Sequence, residues 1–286
     1  MQAQVQHFYH EPTGTYSYVV WDPQTQHAAV IDPVLDYDAA SGRTTTGSAE
    51  HIIAFIRTQN LVLSWILETH AHADHLTAAP YIKATLGGRI AIGTGIRLVQ
   101  GRFKPIFNLG EEFAADGSQF DHLFADDEHF QVGMLEAIAI PTPGHTSDSL
   151  SYKIGDAVFV GDSLFMPDSG TARCDFPGGN THVLYRSTRR LFELPDDTRV
   201  FICHDYNPQG PQPRHVSTIG EQKRYNIHVR ATVSEEEFVR MRKARDATLG
   251  MPTLIIPAIQ VNIQAGEFPA PEQNGAVYLK VPINLL

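Results

Sequence analysis

Cysteine is scarce in this chain of 286 residues, with only Cys174 and Cys203. Two thiols are too few for a disulfide framework, and the usage fits a reducing compartment. No apolar run approaches the roughly 20 residues that a membrane span needs. The opening MQAQVQHFYHEPTG has neither the basic nor the apolar region of a secretory signal, so no membrane association and a cytoplasmic location are expected. Positive charge is in deficit, with 22 Lys+Arg against 32 Asp+Glu, a net charge of −10. No basic run interrupts that balance, which excludes a nucleic-acid backbone as a natural partner. Short repeats, low-complexity tracts and flexible linkers are also missing. Residues 1–286 are therefore expected to form one domain of two layered halves, with an extended tail from about 246 to 286.

What is present is a folded composition: 42% hydrophobic and 19% charged residues with 22 Gly and 18 Pro, which fits a loop-rich α/β or α+β enzyme. Thr15 to Asp22 and His27 to Asp32 read as an antiparallel hairpin. The polar stretch from Pro33 to Glu50 reads as a loop, and Ile52, Ile53, Phe55 and Ile56 then follow a helical spacing. Leu61 to Glu68 has the length of a buried strand. A helix from Ala78 to Leu86, stopped by Gly87-Gly88, and a strand from Arg89 continue an α/β alternation. A second series holds strands near 135–140, 149–154, 157–162 and 199–204, with a helix over 181–192. A charged helix covers 234–245, and the proline- and glycine-dotted tail from Met251 reads as an extended wrap.

Histidine is the anomaly, with 14 residues, several of them beside Asp. His70-Ala-His72-Ala-Asp74-His75 sets three imidazoles and a carboxylate within six residues at the end of a buried strand. Alternate residues there face one side and the following turn brings in the rest. Imidazole and carboxylate suit Zn, Fe, Mn and related ions. Three more polar residues follow apolar runs: His145 in Pro-Gly-His-Thr, Asp162 in Val-Gly-Asp-Ser, and His204 after Val200-Phe-Ile-Cys. Each alone is a weak signal, a capped turn or an N-cap. Four strand-end sites in succession, where ligands gather in α/β sheets, are a strong one.

The order HxHxDH, GHT, GD and a late strand-end His resembles the metallo-β-lactamase superfamily. Within it, Tyr16 to Asn226 resembles the glyoxalase II and persulfide dioxygenase branch. The run from Asp168 through Arg173-Cys-Asp175-Phe-Pro-Gly-Gly, and the tail from Ala244, are similar to the persulfide dioxygenases. The resemblance implies an αββα sandwich, two mixed β-sheets flanked by helices, with the metal at one edge between the sheets. It further implies one Fe(II) per chain on His70, His145 and Asp162, with His72, Asp74, His75 and His204 around it or completing a second metal site. Asp74, His75 and Tyr206 are expected to act in catalysis. Arg173, Tyr206, Lys223 and Arg224 are expected to contact glutathione, although a salt bridge from Arg173 to Asp175 is the competing reading. The implied reaction takes glutathione persulfide and O2, in a homodimer. A glyoxalase II-like hydrolase of S-acyl glutathione with a binuclear site is the alternative.

Overall fold

The computed structural model describes residues 2–205 and 212–285. In chain order, β1 (Gln4–His10), β2 (Thr15–Trp21) and β3 (His27–Ile31) form an antiparallel meander. The strands β4 (Val34–Asp38) and β5 (Arg43–Thr45), helix α1 (Gly47–Thr58), β6 (Val62–Leu67), β7 (Leu76–Thr77), helix α2 (Ala79–Leu86), β8 (Arg89–Gly93), helix α3 (Ile96–Ile106) and β9 (His122–Phe124) complete the first half. The second half runs β10 (Glu128–Val132), β11 (Leu135–Pro141), β12 (Leu150–Ile154), β13 (Ala157–Phe159), helix α4 (Thr181–Leu191), β14 (Arg199–Phe201), β15 (Val216–Thr218) and helices α5 (Ile219–Tyr225), α6 (Glu235–Asp246) and α7 (Ile255–Asn262).

Two six-stranded sheets result, ordered β1-β2-β3-β6-β8-β9 and β10-β11-β12-β13-β14-β15, beside a small sheet β5-β4-β7. Both large sheets are mixed: β3, β6, β8 and β9 run parallel, as do β13 and β14, while the other neighbours are antiparallel. One buried layer, including Tyr18, Ile31, Leu67, Phe124, Tyr152, Phe159 and Phe201, joins the inner faces. The outer face of the first sheet is covered by apolar residues of α1, α2, α3 and α7, and that of the second by α4, α5 and α6. This is the expected αββα sandwich, each sheet burying one face on the other and one on helices. Among the described residues no helix is long and apolar enough to cross a membrane.

Two expectations are corrected. Residues 33–50 are not an unstructured loop: β4 and β5 form a hairpin, and β4 also pairs with β7. Its turn is made by side chains, with Asp38 accepting from Ala40 N at 2.9 Å and Ser41 Oγ at 2.6 Å, so a polar hairpin shows no apolar alternation. The tail from Met251 is likewise not wholly extended. It contains α7, which buries Ile255, Ala258, Ile259 and Val261 against the first sheet's helical layer. Residues 267–285 run on without helix or strand.

Candidate metal centre

β6 lies between β3 and β8 and releases the chain as Glu68-Thr69-His70. The turn that follows is held from several elements because its buried backbone groups need partners. Thr69 N donates to Asp32 Oδ1 at 2.7 Å, and Ala71 N to Asp148 Oδ2 at 2.8 Å. Asn262, on α7, donates to the carbonyls of both His72 and His75 at 2.8 Å and accepts from Thr77 N at 3.0 Å. The second sheet supplies His145 after β11, Asp162 after β13 and His204 after β14. Two ligand candidates follow glycines that nothing larger replaces. Gly144 has φ +137° and a Cβ there would lie 2.3 Å from Leu184 N; Gly161 has φ +49° and would meet Thr69 Oγ1 at 2.6 Å.

The seven residues converge. The ligand atoms of His70, His145 and Asp162 lie within 4.8 Å of one another, as do those of His72, Asp74 and His75. His145 Nε2 is 3.5 Å from Asp162 Oδ2, and His204 Nε2 is 3.4 Å from both Asp162 Oδ1 and Asp74 Oδ2. All are buried except Asp74, which is partly exposed. His70 Nε2, His72 Nδ1 and His75 Nε2 are buried without a hydrogen-bond partner, a rare condition that a cation on the imidazole lone pairs relieves. The donor set therefore fits a divalent metal of the Fe, Mn or Zn type.

Except on His72, the opposite ring nitrogens have hydrogen-bond partners, as metal-bound imidazoles require. His145 Nδ1 is 2.7 Å from the Arg173 carbonyl, and His70 Nδ1 3.1 Å from Thr69 Oγ1. His72 Nε2 faces Asp32 Oδ1 at 3.0 Å and Glu68 Oε2 at 3.7 Å, His75 Nδ1 faces Asp74 Oδ2 at 3.1 Å, and His204 Nδ1 faces the Gly14 carbonyl at 3.2 Å. Burial, then repulsion from neighbouring imidazoles, holds the pKa values of His70 and His72 well below the ordinary range, so both rings are neutral. Burial opposes ionisation of Asp74, but His204 and then His75 overcome it and hold its carboxyl well below the usual range. Behind the site, burial raises the carboxyls of Asp32 and Glu68, the latter also through repulsion by Asp32.

A cavity of about 630 Å³ opens on Asp74, His145 and Asp162. Its wall includes Phe165, much of the loop from Asp168 to Phe176, and residues of α6. Arg173 borders the cavity, but its guanidinium is engaged: Nε and Nη2 grip Asp175 at 2.6 and 2.7 Å, and Nη1 donates to the Gly250 carbonyl at 2.6 Å. The competing salt bridge is thus present. Lys223 and Arg224 are not brought to the cavity. Lys223 pairs with Asp196 at 2.6 Å, and Arg224 lies over the Tyr225 ring. They sit on the last turn of α5, and no residue of that helix lines the cavity. Tyr206 lies outside the described residues. Both cysteines are buried, and burial lifts the Cys174 thiol to about 12, which removes it as a reactive thiolate. Sequence reasoning missed Asp32, Glu68, Asp148 and Asn262. Asp32 and Glu68 left a trace, each an acid at the end of an apolar run, Ala28 to Ile31 and Leu61 to Leu67.

Residues 10–204 match the Metallo-beta-lactamase superfamily, and the chain belongs to it. Among its relatives, a protein of Burkholderia pseudomallei (strain 1710b) bearing the name "Probable metallo-hydrolase" is 48% identical over 292 residues, 99% of each chain. Glyoxylase B2 of Dictyostelium discoideum is 47% identical over 100% of this chain and 98% of its own. More distantly, the mitochondrial persulfide dioxygenase ETHE1 of Homo sapiens is 27% identical over 90% of this chain and 86% of its own. The crystal structure of ETHE1 from Myxococcus xanthus superposes with a TM-score of 0.73 at 31% identity, covering 92% of this chain and 100% of that one.

Proposed function

We propose that the chain is an iron-dependent persulfide dioxygenase that converts glutathione persulfide, O2 and water to sulfite and glutathione. One observation carries the reading. The loop from Asp168 to Phe176, whose sequence resembles the persulfide dioxygenases, forms a wall of the cavity that opens on His145 and Asp162. The similarity to ETHE1 of Homo sapiens and of Myxococcus xanthus supports it. His70, His145 and Asp162 would hold one Fe(II), which supplies the redox chemistry by which O2 and a persulfide sulfur react. Two imidazoles and one carboxylate on one face leave room for both reactants, and His72, Asp74, His75 and His204 surround them.

The chain's own contribution is to bind and orient the reactants. The cavity is of the volume that takes a small peptide, and Ala73, Phe165, Ala172, Phe176 and Ile227 give its lining apolar parts. Starting from the persulfide anion, GSS⁻ + O2 + H2O gives GSH + SO3²⁻ + H⁺, so one proton of the water must leave. Asp74 is ionised and partly exposed, and its Oδ2 already accepts from Thr15 and faces His75. A carboxylate held this acidic is a weak base, so Asp74 would orient the water by accepting a hydrogen bond, and the proton would leave to solvent.

A hydrolase of S-acyl glutathione, glyoxalase II-like, is the second reading. It is favoured by the His72, Asp74 and His75 group, which offers a second metal site, and by the 47% identity to Glyoxylase B2. Metal analysis of protein made in iron-rich medium, with oxygen uptake on glutathione persulfide and hydrolysis of S-lactoylglutathione measured side by side, separates the two. Oxygen uptake with negligible thioester cleavage supports the dioxygenase. Rapid thioester cleavage without oxygen uptake assigns the hydrolase.

A further inference from the structure

The superfamily match ends at residue 204, yet the wall of the metal centre does not. Helix α6, at residues 235–246, carries a buried ion pair four residues apart: Arg242 is 1% exposed and Asp246 4%. Arg242 Nε donates to Asp246 Oδ1 at 2.7 Å, with Nη2 at 2.6 Å from the same oxygen. Each partner also holds the backbone of the cavity loop. Arg242 Nη1 donates to the Thr171 carbonyl at 3.1 Å, and Asp246 Oδ2 accepts from Cys174 N at 2.9 Å. Between those two anchor points lies the Arg173 carbonyl, the group that fixes His145 Nδ1 at 2.7 Å.

We propose that Arg242 and Asp246 are positioning residues of the metal centre, which set the direction of His145 Nε2 by clamping the Thr171–Cys174 backbone from outside the region that supplies the ligands. The physical case rests on cost. A buried ion pair contributes little net stability against an apolar pair of similar volume, because desolvation offsets the attraction. Stability alone therefore gives no reason for this pair, whereas two charge-assisted bonds on either side of one carbonyl give a fixed geometry. An imidazole whose second nitrogen has a fixed acceptor loses less freedom on binding a metal and is the more basic for it. The inference rests on the metal-binding part of the reading above, not on the choice of reaction.

The test uses Co(II), whose visible absorption reports its ligands, titrated into the metal-free full-length chain. Arg242→Met with Asp246→Leu removes both anchors, and urea unfolding is measured alongside. The double variant should bind Co(II) roughly ten- to a hundredfold more weakly than the unaltered chain, with a changed absorption band. On a His145→Ala background the same two changes should cost no further affinity, because the effect runs through that ring. Arg242→Lys keeps a charge beside Asp246 but not the fork onto Thr171. It carries the test if the double variant does not fold, with several-fold weaker binding expected. Unaltered Co(II) affinity and spectrum in a folded variant would overturn the proposal, as would an equal loss on the His145→Ala background. If His145→Ala itself binds Co(II) as tightly as the unaltered chain, the proposed ligand set fails and the positioning role falls with it.

Discussion

Protonating His228 should destabilise the folded chain, and the size of the effect follows from the ring's surroundings. Its ring is buried beside α6, and Nδ1 accepts the Thr171 N–H at 3.0 Å, so the folded state needs the neutral form. Burial, then the charges of Arg242 and Arg245, lower its pKa from 6.5 to about 4. Below pH 6.5 the unfolded chain takes up a proton that the folded chain refuses until pH falls through about 4. This ring's contribution to stability is therefore full above pH 6.5, declines as pH falls, and is wholly lost below about 4. At about 1.4 kcal/mol per pKa unit, the full penalty is roughly 3 kcal/mol, of which about 2 kcal/mol is reached by pH 5. His228→Asn keeps an acceptor near the Nδ1 position and does not titrate. Urea unfolding of both metal-free proteins from pH 7.5 to 5 isolates the contribution of this ring, since the other groups are common to the pair. The gap between the two stability curves should shift by about 2 kcal/mol over that range in favour of the variant. Parallel curves would show that the ring titrates normally and that burial does not govern it.

Three further outcomes are expected. Gly144→Ala puts a Cβ against the Leu184 backbone at a φ of +137°, so it should cost roughly 2–4 kcal/mol and lower metal content by displacing His145; normal stability and metal loading would contradict the close approach. Arg173→Ala leaves the carbonyl that holds His145 in place, so metal content should persist while the KM for glutathione persulfide rises on the order of tenfold; an unchanged KM would leave the contacts to Asp175 and the Gly250 carbonyl as the side chain's whole role. Lys223→Ala removes only a surface ion pair to Asp196, so kcat/KM should stay within about twofold, and a larger loss would return this residue to the substrate site.

The candidate ligands were legible in the sequence because each follows an apolar run, and a strand's carboxyl end presents the residues that follow it to the site. His70, His145, Asp162 and His204 all obey that rule. The residues that position them were not legible, for a physical reason. Asn262 belongs to a short helix in a segment whose prolines suggest extended chain, and its role depends on a carbonyl 190 residues earlier. Arg242 and Asp246 stand in the run Glu235-Glu-Glu-Phe-Val-Arg-Met-Arg-Lys-Ala-Arg-Asp246, which reads as a solvated face because charges surround them on every side. Their burial is set by the loop they meet, which no local pattern encodes. The β4–β5 hairpin escaped for the converse reason: β5 is exposed and β4 buries only the adjacent Val34 and Leu35, so its strands show no apolar alternation. Arg173 borders the cavity, but a sequence cannot show that Asp175 and the Gly250 carbonyl already occupy its fork.

The central claim is that one metal, held by His70, His145 and Asp162, serves oxygen chemistry on a persulfide. Its most direct test is a simultaneous measurement on iron-loaded protein: metal content per chain, O2 consumed and sulfite formed on addition of glutathione persulfide. The account predicts about one iron per chain, with sulfite appearing in step with oxygen uptake and both lost in Asp162→Ala. Two zinc ions per chain in an active preparation, with thioester hydrolysis and no oxygen uptake, would contradict it.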